Sequence, residues 1–197
     1  EHGFGGVLIE GWNVGWDGDW FGTGWDYSFT RAYPDFDIER VAAYARQKGV
    51  EIIGHHETGG NGYHYEQQLD AAFGQMQRFG WHSVKTGYVA DAGGARVRGP
   101  DGQPRLAWHE SQPMAQHHLR VVETAARYQV AVNAHEPFKD TGLRRTWPNM
   151  ISREGARGTE FSAWGQPGNP PEHEPNLVFT RLLAGPMDYT PGIFGMQ

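Results

Sequence analysis

Short apolar runs alternate with segments of helical spacing along this chain, and that alternation limits its fold more than any other feature. The runs stand at residues 5–10 (GGVLIE), 50–54 (VEIIG), 81–89 (WHSVKTGYV) and 130–134 (VAVNA), with a shorter candidate at 150–151. Runs of this length read as buried strands. Between them, Ile38, Val41, Ala42 and Ala45 fall at i, i+3, i+4 and i+7 of a helix predicted over 37–48, and Gly49 stands just past its end. Leu69, Ala72, Phe73 and Met76 mark one face of a helix over 66–79 that Gly80 closes. Leu119, Val122 and Ala126 do the same for 111–127, with Ser111 as the capping candidate. Residues 176–183 read as a last helix, and 91–110 as a polar insertion with the turn pairs Gly99-Pro100 and Asp101-Gly102.

Strand, loop and helix in regular turn imply an α/β chain with a parallel sheet, either doubly wound or closed into a barrel. A dinucleotide-binding sheet would carry G-x-G-x-x-G after its first strand; here the sequence reads GWNVGWDGDW, which lacks it. A partial (β/α)8 TIM barrel is therefore the expected fold. A complete barrel needs about 250 residues, so 197 residues supply part of one. Both ends, EHGF and PGIFGMQ, read as interior to a longer protein.

Composition excludes some partners. A net charge of −6 without a Lys/Arg run argues against nucleic acid, whose affinity comes largely from phosphate neutralisation. No stretch of eighteen apolar residues is present to span a membrane. The absence of cysteine removes disulfides and thiolate metal sites. Glycine (28) and tryptophan (8) are both abundant, which suits either sugar stacking or core packing for Trp12, Trp16, Trp20 and Trp25.

Barrel chemistry collects at the C-terminal ends of strands and in the loops that follow. Glu10 ends the first run, Glu57 follows His55 and His56 after the second, and Lys85 lies late in the third. His135 and Glu136 close the fourth, with Glu154 and Glu160 beyond. Converging carboxylates can hold a hard cation or divide glycoside cleavage between an acid and a base or nucleophile. The histidines leave zinc open, as in an amidohydrolase, although no His-Glu-x-x-His is present.

The stretches LIEGWNVGW (8–16), GHHET (54–58), VKTGYV (84–89), VNAHEP (132–137), TGLRRTWPNMISREGARGTEF (141–161) and LLAGPMDYTPGIF (182–194) resemble glycoside hydrolase family 97, bacterial α-glucosidases and α-galactosidases. The resemblance implies the central part of a catalytic barrel over 1–197. The first βα unit and both flanking β domains would be missing, and the last unit is also expected to be absent. It implies an exo-acting, inverting α-glucosidase on malto-oligosaccharides, with Glu160 as general acid and Glu57 and Glu136 as the base pair. Glu136, Glu154 and Glu160 match calcium ligands, with one further ligand from outside this chain. Glu10, Lys85, His135 and His56 match the region that contacts the sugar. Retaining members carry a nucleophilic Asp on the strand that reads VKTGYV here, so Gly87 speaks for inversion. A retaining α-galactosidase is the alternative within the family, and a non-catalytic carbohydrate-binding barrel the alternative outside catalysis. The resemblance also implies export to the periplasm or beyond, and predicts that the chain alone is poorly stable.

Overall fold

The computed structural model describes residues 3–18, 21–90 and 94–190. Five parallel strands form one sheet: β1 (Gly6–Leu8), β2 (Glu51–Glu57), β3 (Ser83–Gly87), β6 (Ala131–Ala134) and β7 (Met150–Arg153). Their spatial order, β1-β2-β3-β6-β7, follows the chain without a reversal. A doubly wound sheet would reverse direction at a switch point. The observed class is thus mixed α/β with a parallel main sheet.

Residues 91–110 are more than a polar insertion. They hold an antiparallel hairpin of β4 (Gly94–Arg98) and β5 (Pro104–Trp108). Ala95 and Val97 alternate inward against Tyr88 and Met114, while β5 is exposed along most of its length, Leu106 and Trp108 included. The hairpin is fastened to the preceding loop, because the Arg96 amide donates to the Gly60 carbonyl at 2.7 Å.

Helices α1 (Ile38–Gln47), α3 (Leu69–Phe79) and α4 (Gln112–Arg127) cover one face of the sheet. Asp37 caps α1 by accepting from the Arg40 amide at 3.0 Å, and Gly80 ends α3 in the left-handed conformation, φ 72°. Ser111 precedes α4 but does not cap it with its side chain; its hydroxyl donates back to the Trp108 carbonyl at 2.6 Å. Glu66 belongs to a separate short helix, α2 (Gly62–Glu66), so the helix predicted from 66 begins at Leu69. The last predicted helix is shifted: α7 spans His173–Phe179 and a 3-10 turn follows at Arg181–Ala184. Two short helices, α5 (Leu143–Thr146) and α6 (Phe161–Trp164), complete the set.

The core lies between sheet and helices. Ile52, Val84, Val132 and Met150 from the strands meet Ala42, Phe73, Met76 and Val122 from the helices. Phe73 is fully buried, so truncating it to Ala should cost about 3–5 kcal/mol. Gly54 lets Met76 approach β2, since a Cβ there would stand 3.0 Å from the methionine methyl.

Candidate active site

Successive strand residues face opposite ways, which sorts the polar residues of this sheet into two sets. On the face turned from the helices, strand pairing aligns His55 with Lys85 and Asn133, and Glu57 with Gly87. A cavity of about 320 Å³ opens at this end, lined by Glu10, Trp16, Phe21, His55, Glu57, Lys85, Val89, His135, Glu136 and Glu160. Residues up to 150 positions apart in sequence thus converge on one cleft. Other cavities are larger, but they lack such a gathering of carboxylates and bases.

On one wall the Lys85 ammonium donates to Glu10 at 2.9 Å, and His55 Nε2 lies 3.8 Å from the same oxygen. Burial would raise the Glu10 carboxyl, but the hydrogen bond from the Lys85 ammonium and its charge hold it below its ordinary value. His55 is pushed down to about 4, first by burial and then by the Lys85 charge, so its ring is neutral near pH 7.

Glu57 is 4% exposed, and one oxygen, Oε1, accepts three backbone amides: Thr58 at 3.0 Å, Gly59 at 2.8 Å and Val89 at 3.1 Å. Burial nevertheless raises its pKa to about 7, with the Glu136 charge adding to the rise. Its other oxygen, Oε2, fills the space beside Gly87. A Cβ on residue 87 would meet it at 2.0 Å. A side chain at 87 and the Glu57 carboxylate therefore exclude each other.

Glu136 sits just past β6 at φ 44°, a conformation that non-glycine residues adopt uncommonly, and its Oε2 accepts the Tyr88 amide at 2.7 Å. His135 stands between two carboxylates, with Nε2 2.8 Å from Asp188 and Nδ1 3.5 Å from Glu154. Asp188 also accepts from Asn133, and the His135 hydrogen bond keeps its carboxyl well below the usual range. Asp188 lies in a loop outside any strand or helix, and a single Asp without a periodic context offers no local signal in sequence.

Glu154 is raised by burial, and the charges of Glu136 and Glu160 add to the rise. Glu136, Glu154 and Glu160 are thus near enough to repel one another, and a hard cation would offset that repulsion. Among the described residues, however, no group of three or more His, Asp or Glu is arranged to hold a metal alone. All three glutamates are oxygen donors, the class that hard cations take, and a complete shell would need oxygens beyond these.

One expectation changes, and one open choice is narrowed. His56 is not on the pocket face. Its neighbours His55 and Glu57 face the cleft, so His56 turns into the helical layer, where it is fully buried against Phe29 and Phe73 and its Nδ1 meets the Tyr65 hydroxyl at 2.8 Å. Of the four tryptophans, Trp12 packs edge-on against Trp81 in the core, and Trp25 lies against Tyr63 and His64 outside the cavity. Trp16 lines the cavity beside His55, and Trp20 lies outside the described residues.

A family model described as glycoside hydrolase 97 matches residues 1–156. The chain belongs to glycoside hydrolase family 97. A family 97 enzyme from Pseudoalteromonas sp. strain K8, solved in complex with acarbose, superposes with a TM-score of 0.92 at 55% identity, covering 98% of this chain and 29% of that one. A variant of that family 97 enzyme, solved with panose, matches to the same extent. Among curated proteins, a retaining α-galactosidase of Bacteroides thetaiotaomicron is 26% identical over 188 residues, 94% of this chain. A probable retaining α-galactosidase of Streptomyces bingchenggensis is 28% identical over 159 residues, 80% of this chain. The chain spans about a quarter of the length of these curated relatives, 24% and 21% respectively.

Proposed function

We propose that this chain is the central part of a (β/α)8 barrel in an exo-acting, inverting α-glucosidase that acts on malto-oligosaccharides. The observation that carries the proposal is the Glu57 carboxylate filling the space at Gly87. A retaining mechanism at that strand needs an attacking carboxylate on residue 87, and glycine supplies none. Glu57 is in contact with the cleft instead, beside Glu136. Strand order that follows the chain without reversal supports the barrel.

In this reading Glu160 protonates the leaving oxygen. Glu57, with Glu136 beside it, takes the proton of a water that attacks the anomeric carbon from the opposite face. The acid and base carboxyls should then stand about 6.5–9.5 Å apart, leaving room for that water. Glu10, Lys85 and His135 bind the sugar hydroxyls. Calcium would be held by Glu136, Glu154 and Glu160 with donors from outside this chain, and would supply positive charge that offsets the crowding of carboxylates. Acarbose and panose in the 55%-identical structures support an oligosaccharide substrate with α-linked glucose.

The second reading, a retaining α-galactosidase, has the curated relatives at 26% and 28% identity in its favour. Following the first-formed anomer by NMR during hydrolysis of an α-glucoside separates the two. Inversion releases β-glucose first; α-glucose as the first product, or turnover of α-galactosides alone, refutes the proposal.

A further inference from the structure

Behind the cleft, on the helical side of the sheet, a line of buried polar groups takes no part in the chemistry described above. Glu66 ends α2 with its side chain 4% exposed, and it accepts from Arg120 of α4 at 2.6 and 2.9 Å, with Arg98 of the hairpin 3.4 Å away. It also meets His117 Nδ1 at 2.7 Å, and His117 Nε2 meets the Tyr88 hydroxyl at 2.9 Å. His117 and Tyr88 are both fully buried.

The direction of each hydrogen bond follows from chemistry. Despite burial, the hydrogen bond from His117 and the bonds from Arg120 hold Glu66 down to about 2, so it is an acceptor only. His117 Nδ1 must therefore carry a proton. Burial lowers the His117 pKa, which keeps the ring neutral and leaves Nε2 as an acceptor. The Tyr88 hydroxyl then has one option, to donate to Nε2. The tautomer is set at Glu66 and read out at Tyr88.

Tyr88 is where this line reaches the cleft. Its amide donates to Glu136, and the next amide, Val89, donates to Glu57. We infer that Glu66, His117 and Tyr88 form a positioning relay that fixes the Tyr88–Val89 backbone, and through it the two carboxylates assigned to water activation. The inference rests on the base roles given above to Glu57 and Glu136. None of the three relay residues lines the cavity; they act through the amides. Gly62 belongs to the same device, because a Cβ there would stand 2.9 Å from His117 Cε1 and 3.0 Å from Nε2. The glycine leaves room for the ring in the one orientation that serves both neighbours.

The experiment uses the full-length enzyme that carries this chain and p-nitrophenyl α-glucoside as probe. Tyr88→Phe removes only the donating hydroxyl, His117→Leu removes the link, and Gly62→Ala displaces the ring without deleting a polar group. Each should lower kcat by about tenfold to a hundredfold, the scale of a small misplacement of a catalytic group, with KM nearly unchanged. His117→Gln, which keeps an acceptor near the Nε2 position, should recover much of the loss.

An unchanged kcat in Tyr88→Phe and Gly62→Ala overturns the relay. So does a loss that tracks the folded fraction and is not recovered in His117→Gln. If the unaltered enzyme fails to cleave any α-glycoside, the functional reading itself falls and the relay falls with it. Turnover by the unaltered enzyme with indifferent variants removes the relay alone.

Discussion

Replacing Gly87 by alanine adds one methyl group at the most informative point of the cleft. The new Cβ would start 2.0 Å from Glu57 Oε2, whereas ordinary van der Waals contact begins at 3.4 Å. The carboxylate must retreat by about 1.4 Å or the strand must shift. Retreat drags Oε1 away from the amides of Thr58, Gly59 and Val89. Gly87 does not adopt a positive φ, so the backbone itself has no need of glycine and the effect is steric. Overpacking of this kind costs about 1–3 kcal/mol of stability. A misplacement of this size costs about a hundredfold in rate. Steady-state hydrolysis by the full-length enzyme should show kcat reduced on that scale with KM nearly unchanged. Thermal denaturation of the double variant adds a control: in a Glu57→Ala background the methyl group meets no carboxylate, and Gly87→Ala should cost little. A Gly87→Ala enzyme with ordinary kcat, or an undiminished stability cost in the double variant, would refute the argument that Glu57 owns that space.

Three further outcomes are expected. Glu57 keeps its proton to about pH 7 when folded and releases it near 4.5 when unfolded, so the native state binds more protons between those values. The group's contribution to stability must then fall as pH rises through that window; in chelator, chemical denaturation should show the unaltered protein losing ground to Glu57→Gln from pH 5 to 8, and parallel curves would contradict it. Glu160→Gln should lower kcat on maltose by about a hundredfold to ten-thousandfold. The loss should shrink on α-glucosyl fluoride, whose leaving group needs no proton, and an equal loss on both substrates would remove Glu160 from the acid role. Chelation of divalent cations should reduce turnover and melting temperature together, with calcium restoring both and magnesium restoring less, since the smaller ion demands stricter octahedral geometry.

Much of the site was legible because strand ends announce it. Glu10, Glu57, His135 and Glu136 each follow or end an apolar run, Lys85 lies within one, and all line one cavity. The alternation rule applied within β2 would also have removed His56, since His55 and Glu57 stand two apart and the residue between them must face the helices. Helices α1 and α3 declared themselves through four apolar positions apiece and a closing glycine. The hairpin did not: β4 is short with arginines on its outward face, and β5 runs Leu106, Ala107 and Trp108 together, so no alternation of apolar and polar residues marked a strand there. Asp188, Asn133 and the Tyr88 and Val89 amides were invisible for another reason. Their importance arises from what the fold sets beside them, and a backbone amide has no letter of its own in a sequence.

The contact between the Arg96 amide and the Gly60 carbonyl has a practical meaning for anyone recombining such proteins. Two neighbouring crossover segments are stitched together at that point, so neither behaves as an independent cassette. Transplanting the β2–α2 loop without the hairpin would leave a loose thread on each side of the seam, and libraries that exchange both pieces as one unit should give more functional chimaeras than those that exchange them separately.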